Sequence, residues 1–209
     1  MFTDLKVSEF LDALASKDAV PGGGSGAALG GALGAALVSM VCNLTIGKKG
    51  YEESWEPLEE ILERSEALRS RIAELLEADT QAYAKVMEAY RMPRGTEEAK
   101  ANRKEAMQAA LRHAAEVPLE IAKSCSKVVE LALPAAEMGN RWAVSDAGVG
   151  ALLAEAAMHA ALLNVEINLS SIDDTAYVQA TRDGISAMTE ECTRTKDRVQ
   201  AIVAEAIKG

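Results

Sequence analysis

The stretch Pro21-Gly22-Gly23-Gly24-Ser25, with the uncharged run that follows it as far as Gly47-Lys48-Lys49, decides the fold. Within this run glycine recurs every four residues, at Gly26, Gly30 and Gly34. Residues four apart lie on one face of an α-helix, so these glycines form a face with almost no side chain. The sequence therefore predicts a Gly/Ala-rich helix, over about residues 26–45, which another backbone approaches closely.

The same run is long enough to cross a membrane, because roughly 22 residues at about 1.5 Å each span about 33 Å. Glycine and alanine supply most of it, so its transfer into lipid is weak compared with that of a Leu/Ile/Phe segment. Ser39, Asn43 and Thr45 add polar groups. We therefore expect a buried core helix and no membrane partner.

Composition indicates an all-α protein. Hydrophobic residues make up 49% of the 209 residues, whereas aromatic residues make up only 4%, and no long alternating segment predicts a strand. We expect a single multihelical domain over residues 1–209, with two buried Gly/Ala-rich helices surrounded by longer amphipathic helices. The net charge of −10 argues against nucleic acid as a partner, since phosphate binding requires a basic face.

The cysteines and the first residues indicate a protein of the cytoplasm. Cys42, Cys125 and Cys192 are far apart and lack metal-ligand spacing, so we interpret them as small buried thiols and expect no metal site. The first residues lack a basic segment followed by an apolar run, which argues against a signal peptide.

Hydrophobic periodicity and helix-end signals predict the other helices at about residues 3–15, 54–90, 96–116, 118–138, 145–168 and 173–207. In this interpretation Pro118 lies in the first turn of its helix, Gly139 ends that helix as a left-handed cap, and Ser145 caps the next. The helix after Ser145 is the second one rich in glycine and alanine.

Two carboxylates stand out. Asp79 continues the apolar stripe of Ile72, Leu75 and Leu76, so it lies on a buried face and must be paired, hydrogen-bonded or neutral. It is either a structural acid that caps a helix or pairs with a lysine, or an acid of a binding pocket. Asp146 follows Ser145, where the helix dipole favours a negative charge, so a structural role is equally open.

A set of polar residues remains once common catalytic motifs are excluded. Neither histidine has a nucleophile partner pattern, and the glycine run lacks the Gly-Lys-Ser/Thr ending of a nucleotide-binding loop. The set suits metal-free acid–base chemistry on a small anionic substrate. Its candidate catalytic members are Asp79, Asp146, Lys48 and Lys49, and its candidate substrate-binding members are Gly22, Gly23, Gly24, Ser25, Asn43, Asn140 and Asn164.

Several segments resemble those of one known family. They are Pro21–Ser25 with Ala27-Ala28, Met40-Val-Cys-Asn-Leu-Thr-Ile-Gly-Lys-Lys-Gly-Tyr51, Asp79-Thr-Gln-Ala-Tyr83, Gly139-Asn140 with Ser145-Asp146, and Leu163-Asn-Val165 with Ile167-Asn-Leu169. The chain is similar over nearly its whole length to the cyclodeaminase/cyclohydrolase family. That family comprises the cyclodeaminase part of formiminotransferase-cyclodeaminase and stand-alone bacterial methenyltetrahydrofolate cyclohydrolases. The resemblance implies a multihelical fold and a homodimer or an assembly of dimers.

The resemblance also implies an activity. We expect no formiminotransferase region before the first helix, and residues 40–49 are most similar to the methylotroph-type cyclohydrolases. We therefore expect the interconversion of methenyltetrahydrofolate and formyltetrahydrofolate in one-carbon metabolism, without a cofactor. The alternatives are deamination of formiminotetrahydrofolate with release of ammonia, and a non-catalytic helical interaction module. Many members have a third basic residue where this chain has Gly50, so the cation that contacts substrate stays open.

The expected roles follow from the chemistry of the substrate. One of Asp79 and Asp146 is the base and proton shuttle, and the other has an orienting role. Lys48 and Lys49 bind substrate carboxylates or adjust the pKa of a carboxylate. Backbone N–H groups of the glycine loop and the Ser25 side chain hydrogen-bond the substrate. The sequence leaves open which aspartate is the base, the direction of flux, the polyglutamate preference and whether two subunits share the site.

Overall fold

A computed structural model describes residues 1–208, and all regular secondary structure within these residues is helical. Short 3-10 turns lie at Phe2–Asp4, Glu52–Ser54 and Arg141–Ala143. The six helices are α1 (Val7–Leu14), α2 (Gly23–Asn43), α3 (Trp55–Arg91), α4 (Glu97–Met138), α5 (Val144–Leu169) and α6 (Thr175–Lys208). The predicted all-α fold is confirmed, and the longer helices α3, α4 and α6 pack against the two Gly/Ala-rich helices α2 and α5.

The long helices form two layers. Helices α2 and α5 lie side by side in the first layer, and α3, α4 and α6 pack behind and beside them. Helix α2 runs antiparallel to α5, since Gly34 lies against Gly150 while Gly23 lies against Asn164. It is also antiparallel to α3, because the Ser39 hydroxyl bonds the Ser65 hydroxyl at 2.7 Å while Gly24 lies against Asp79. The N-terminal end of α2 therefore meets the C-terminal half of α3 and the end of α5.

The glycines of α2 allow close packing within the chain, as expected, although Gly34 is the only member of the predicted set at a tight position. A methyl group at Gly34 would lie 2.8 Å from the Gly150 carbonyl oxygen, and one at Gly31 would lie 2.5 Å from the Cys125 sulfur. Gly30 meets only Ala157 at 3.5 Å, and Gly26 meets only Leu14 at 3.8 Å. Two of the three glycines in the four-residue repeat thus have room for a methyl group.

The predicted break between the fourth and fifth helices is wrong, because α4 continues through Pro118. Proline removes the backbone hydrogen bond to the carbonyl four residues earlier, which here belongs to Ala114. The Asn168 side chain donates to that carbonyl instead, at 2.9 Å. A tertiary contact from α5 therefore replaces the lost bond, and the helix is not forced to end.

Two predicted helix caps are also wrong. Gly139 has φ of −73° and extended backbone, so it is not a left-handed cap. Glycine is required there for space, because a Cβ would lie 2.6 Å from a methyl carbon of Val41. Ser145 lies inside the first turn of α5, and Asn140 caps the preceding 3-10 turn by accepting a hydrogen bond from the Trp142 N–H at 3.2 Å.

One side of the first layer is exposed and apolar in the single chain. We call it the α2/α5 face, and it comprises Leu33 and Met40 of α2, Leu44 directly after α2, and Val149, Leu152, Leu163 and Ile167 of α5. Two helices, Gly23–Asn43 and Arg141–Leu169, are apolar and long enough to cross a membrane, with 56% and 50% of their apolar windows buried. Such helices also occur in the cores of water-soluble proteins, so this feature is weak support for a membrane span.

Candidate active site

Asp79 faces the N-terminal end of α2, where it is half-buried. The Ser25 hydroxyl donates a hydrogen bond of 3.0 Å to Asp79 Oδ2, and Ser25 itself is fully buried. A Cβ at Gly24 would lie 2.6 Å from Asp79 Cγ. Only glycine at position 24 therefore leaves room for this carboxylate beside the N-terminal end of α2.

The environment of Asp79 favours its protonated form. Burial raises the pKa of Asp79, and hydrogen bonds from the Ser25 hydroxyl and backbone N–H offset part of that rise. The contact with Ser25 also satisfies an N-terminal donor of α2, so the structural role considered for this residue is present. The same carboxylate lines a cavity, which a purely structural cap does not require.

The cavity around Asp79 has a volume of about 330 Å³, within the ~300–1,000 Å³ typical of small-molecule sites. Four helices, α2 to α5, and the segment before α2 enclose it. Asn164 lies beside Gly23, at 3.6 Å from where a Cβ of Gly23 would be. The residues that line the cavity are Ala19, Val20, Gly22, Gly23, Gly24, Asp79, Ala82, Tyr83, Val86, Ala114, Asn164, Ile167 and Asn168.

The other candidate residues lie at the opposite end of α2. Gly47 and Gly50 have φ of 78° and 91°, so the chain turns on both sides of the lysine pair. Lys48 Nζ lies 5.7 Å from the ring centre of Tyr51, and neither Lys48 nor Lys49 forms an ion pair among residues 1–208. The left-handed backbone at Gly50 would strain any side chain there, including a third basic residue.

Asp146 and Asn43 belong to this second end. Asn43 is the last residue of α2 and is exposed, and Asp146 lies half-buried in the first turn of α5. The antiparallel contacts between α2 and α5 place Asp146 opposite the last turn of α2. From Asp146 to Asn164 the axis of α5 covers about 27 Å. The predicted site is therefore divided into two groups at opposite ends of the α2–α5 pair.

Asn140 connects the two helix ends. Its backbone N–H donates to Thr45 Oγ1 at 2.7 Å, and its side-chain nitrogen donates to the Leu44 carbonyl at 3.3 Å. With its side-chain oxygen bonded to Trp142, the amide is occupied within the chain and is buried. Its observed contacts are structural, and substrate binding by Asn140 stays a prediction.

Comparison with known proteins identifies the family. The sequence model described as formiminotransferase-cyclodeaminase matches residues 6–187. The chain belongs to this family. The methenyltetrahydrofolate cyclohydrolase of Methylorubrum extorquens is 42% identical over 94% of this chain and 95% of its own length. The family membership implied by the sequence motifs is therefore confirmed.

Members with a second activity are also similar. The formimidoyltransferase-cyclodeaminase of Rattus norvegicus is 33% identical over 90% of this chain, which spans only 35% of that protein. The crystal structure of formiminotetrahydrofolate cyclodeaminase from Thermotoga maritima superposes with a TM-score of 0.90 at 29% identity, covering 99% of this chain and 100% of that one. The family fold therefore extends over the whole described chain.

Asn168 and Tyr83 line the cavity of this family member but were not among the predicted site residues. Asn168 Nδ2 also donates to the Asn164 carbonyl at 2.7 Å, which ties the two asparagines together. Both asparagines occur in the family-like segment at residues 163–169, and the spacing of four puts them on one helix face. That spacing could have identified Asn168, and the same spacing of four from Asp79, within the family-like segment at residues 79–83, could have identified Tyr83.

Other features of the chain are poor candidates for the site. A larger depression of about 700 Å³ is lined by α6 alone, so no second element is present to orient a ligand. Burial raises the pKa of Cys42 to about 11 and of Cys125 to about 12, which keeps both thiols protonated and unreactive. Among residues 1–208, no three His, Cys, Asp or Glu side chains form a metal-binding cluster.

Proposed function

We propose that this protein is a methenyltetrahydrofolate cyclohydrolase, which interconverts methenyltetrahydrofolate and formyltetrahydrofolate. The observation that carries the proposal is the Asp79 carboxylate, held in the cavity by Ser25 and the glycine entry of α2. The similarity to the Methylorubrum cyclohydrolase adds support, because the two chains match at 42% identity over nearly their full lengths.

The substrate needs activation of water more than activation of its own carbon. The methenyl carbon lies between two nitrogens in an amidinium-like cation, so it is electrophilic without help from a metal. Water attacks this carbon while a base takes one proton from the water. The tetrahedral adduct then collapses, one C–N bond breaks, and the leaving nitrogen takes up a proton. The products are the formyl group on the other nitrogen and one proton released to solvent.

Asp79 is the better placed of the two aspartates to act as the base. It borders the cavity, whereas Asp146 lies at the other end of the same chain. Burial raises the pKa of Asp79, and a carboxylate with a raised pKa is a stronger base toward the proton of water. Ser25 fixes one carboxylate oxygen at 3.0 Å and leaves the other to accept the proton.

The other candidate residues bind and orient the substrate. Asn164 and Asn168 line the cavity, and the Asn164 side-chain oxygen accepts no hydrogen bond within residues 1–208. That oxygen is free to accept from a pterin N–H. Lys48 and Lys49 supply the positive charge that the glutamate carboxylates of a folate require. Asp146 orients the substrate or completes the proton path.

Deamination of formiminotetrahydrofolate is the second candidate, because the structure of the Thermotoga cyclodeaminase superposes over the full chain. Both reactions pass through a tetrahedral carbon between two nitrogens, so one site can serve either. The full-length match to a stand-alone cyclohydrolase favours hydrolysis, since the rat cyclodeaminase is 33% identical and only 35% of it is covered.

The broader setting is part of the same proposal. We expect residues 1–209 to act as one domain, in the cytoplasm, as a homodimer or an assembly of dimers. The reaction as written needs no cofactor or metal, and no nucleic acid or membrane takes part. A third possibility, a helical interaction module without catalysis, predicts a fully inactive protein.

Decay of the methenyl chromophore tests the proposal directly. Purified protein should accelerate the decay manyfold in a buffer that suppresses spontaneous hydrolysis. No acceleration would contradict the cyclohydrolase function. Ammonia release from formiminotetrahydrofolate, at a rate above that of methenyl hydrolysis, would favour the cyclodeaminase instead. Absence of both activities would leave the interaction module.

A further inference from the structure

The side-chain amides of Asn164 and Asn168 on α5 are each held in one orientation. Asn164 Nδ2 donates to the Ala160 carbonyl at 3.0 Å. Asn168 Nδ2 donates to the carbonyl of Ala114 at 2.9 Å and to that of Asn164 at 2.7 Å. A carbonyl oxygen only accepts, so each contact identifies the nitrogen end of the amide. The two side-chain oxygens are left over, and neither accepts a hydrogen bond within residues 1–208.

Pro118 makes the Ala114 carbonyl available to Asn168. In a regular helix that carbonyl would accept the N–H of residue 118, which proline lacks. Ala114 itself lines the cavity, so the freed carbonyl lies close to it. A proline that is unfavourable for the middle of α4 thus provides an anchor for a cavity side chain of α5.

The polar groups of the cavity follow one another in a fixed order. Asp79 lies against Gly24, where a Cβ would be 2.6 Å from its Cγ. A Cβ at the neighbouring Gly23 would be 3.6 Å from the Asn164 amide, and Asn164 is bonded to Asn168. The N–H groups of Gly23 and Gly24 belong to the first turn of α2, so they have no carbonyl of their own helix to bond. The lining therefore presents a carboxylate, then backbone donors, then two amide oxygens.

The ring system of a folate carries the complementary groups in the same order. In methenyltetrahydrofolate the reactive carbon is attached to N5, and the 4-oxo group is the neighbouring substituent. N3–H and the 2-amino group follow along the same edge of the pyrimidine ring. The 4-oxo group is a hydrogen-bond acceptor, whereas N3–H and the amino group are donors. This edge thus matches a lining of donors followed by two acceptors.

We infer that this lining recognises the 2-amino-4-oxopyrimidine edge of the substrate. The backbone N–H groups of Gly23 and Gly24 donate to the 4-oxo group, Asn164 Oδ1 accepts from N3–H, and Asn168 Oδ1 accepts from the 2-amino group. The order of the groups then puts the methenyl carbon on the side of Asp79. Pro118 is a positioning residue that acts through Asn168. This binding mode rests on the proposed function, since a folate is its ligand.

Two oxidised folates that differ only at this edge test the binding mode. Folic acid has the 4-oxo group and N3–H, whereas 4-amino-4-deoxyfolic acid has an amino group and a lone pair on N3. The second compound directs a donor at the glycine N–H groups and a lone pair at the Asn164 oxygen. Calorimetric titration of wild-type protein in a weakly alkaline buffer should therefore show at least about tenfold tighter binding of folic acid. Equal affinities, a preference for the 4-amino compound, or binding of neither would overturn the binding mode.

Removing one acceptor should abolish the preference. Asn164→Leu has a similar size but no oxygen for N3–H, so the two affinities should come within about threefold of each other. A residue that only supported the fold would weaken both compounds alike and leave their ratio unchanged, which would exclude Asn164 from recognition. Asn102→Leu, at an exposed position of α4 outside the cavity lining, is the control and should keep the wild-type ratio.

Replacing the proline tests the anchor of Asn168. Pro118→Ala restores an N–H that competes for the Ala114 carbonyl, so the preference for folic acid should fall at least about threefold. The Tm should stay at or above that of wild type, because alanine suits a helix interior better than proline does. Pro134→Ala in the same helix lies outside the cavity lining and should keep the wild-type ratio. A wild-type ratio in Pro118→Ala would exclude a positioning role for this proline.

Turnover distinguishes the binding mode from the proposed function. Protein that prefers folic acid but does not accelerate the decay of the methenyl chromophore would refute the cyclohydrolase function and leave the binding mode intact. Protein that hydrolyses methenyltetrahydrofolate but binds the two oxidised folates equally would keep the function and overturn the binding mode.

Discussion

The two ends of the α2–α5 pair differ in how strictly the fold determines them. At the Asp79 end, helix packing sets every position: Gly24 has no space for a Cβ, and Ser25 is fully buried and bonded to the acid. At the other end, Asn140 fixes the backbone, but Lys48 and Lys49 extend from a glycine-flanked turn without ion pairs among the described residues. The first end is built to hold one acid in place, and the second presents charge to whatever approaches it.

Removing the charge of Asp79 should cause the largest loss of activity of any change at the two ends. Asp79→Asn keeps the size and the acceptor for Ser25 but cannot take a proton, so kcat should fall by about a hundredfold or more. Chromophore decay at saturating substrate measures this value. Glu74→Gln on the exposed face of the same helix is the control and should stay near wild type. A rate for Asp79→Asn within threefold of wild type would exclude Asp79 as the base.

Adding one methyl group near Asp79 should have the next largest effect. Gly24→Ala puts a Cβ too close to the Asp79 carboxyl group, so the acid must move and the rate should fall at least tenfold. Gly26→Ala on the same helix is the matched control, because Gly26 does not line the cavity and its Cβ would make only an ordinary contact of 3.8 Å with Leu14. Equal activities for the two variants would mean that the position of Asp79 is not critical.

Changing the lysine end should alter binding more than catalysis. Lys48→Ala removes one charge that we assign to the substrate carboxylates, and KM should rise about tenfold, which corresponds to about 1.4 kcal/mol. The kcat value should change little. Lys127→Ala, an exposed lysine on α4, is the control for net charge. A fall in kcat at unchanged KM would instead place Lys48 in the chemical step.

The sequence predicted most of the elements and far less of their relative positions. Periodicity located the helices, and the glycine run and Asp79 were both recognised as candidates for the site. Periodicity describes one helix at a time, so it could not show that α2 and α5 run antiparallel and separate Asp79 from Asp146. The continuity of α4 through Pro118 was likewise hidden, since it depends on a hydrogen bond from Asn168, which lies 54 residues from Ala114.

In the middle of the α2–α5 pair, an added methyl group should lower stability at Gly34 and have far less effect at Gly30. Gly34→Ala places a methyl group 2.8 Å from the Gly150 carbonyl oxygen, which belongs to the backbone and cannot rotate away. The free energy of unfolding should fall by about 1–3 kcal/mol. Gly30→Ala, whose Cβ meets Ala157 at 3.5 Å, should lose far less. Urea unfolding of both variants measures the difference, and equal losses would contradict the close contact at Gly34.

The smallest expected effect is on the pH dependence of stability, which distinguishes a structural role of Asp79 as a cap of α2 from its role as the base. Its raised pKa means that the folded protein binds this proton more tightly than the unfolded chain does. The free energy of unfolding therefore decreases as pH rises from the ordinary aspartate pKa of about 3.9 through the raised value. Asp79→Asn removes that dependence, so its Tm should equal or exceed that of wild type at neutral pH, with the advantage vanishing below about pH 4. If the variant is instead less stable at every pH, capping of α2 outweighs the burial of charge, and Asp79 serves the fold more than the reaction.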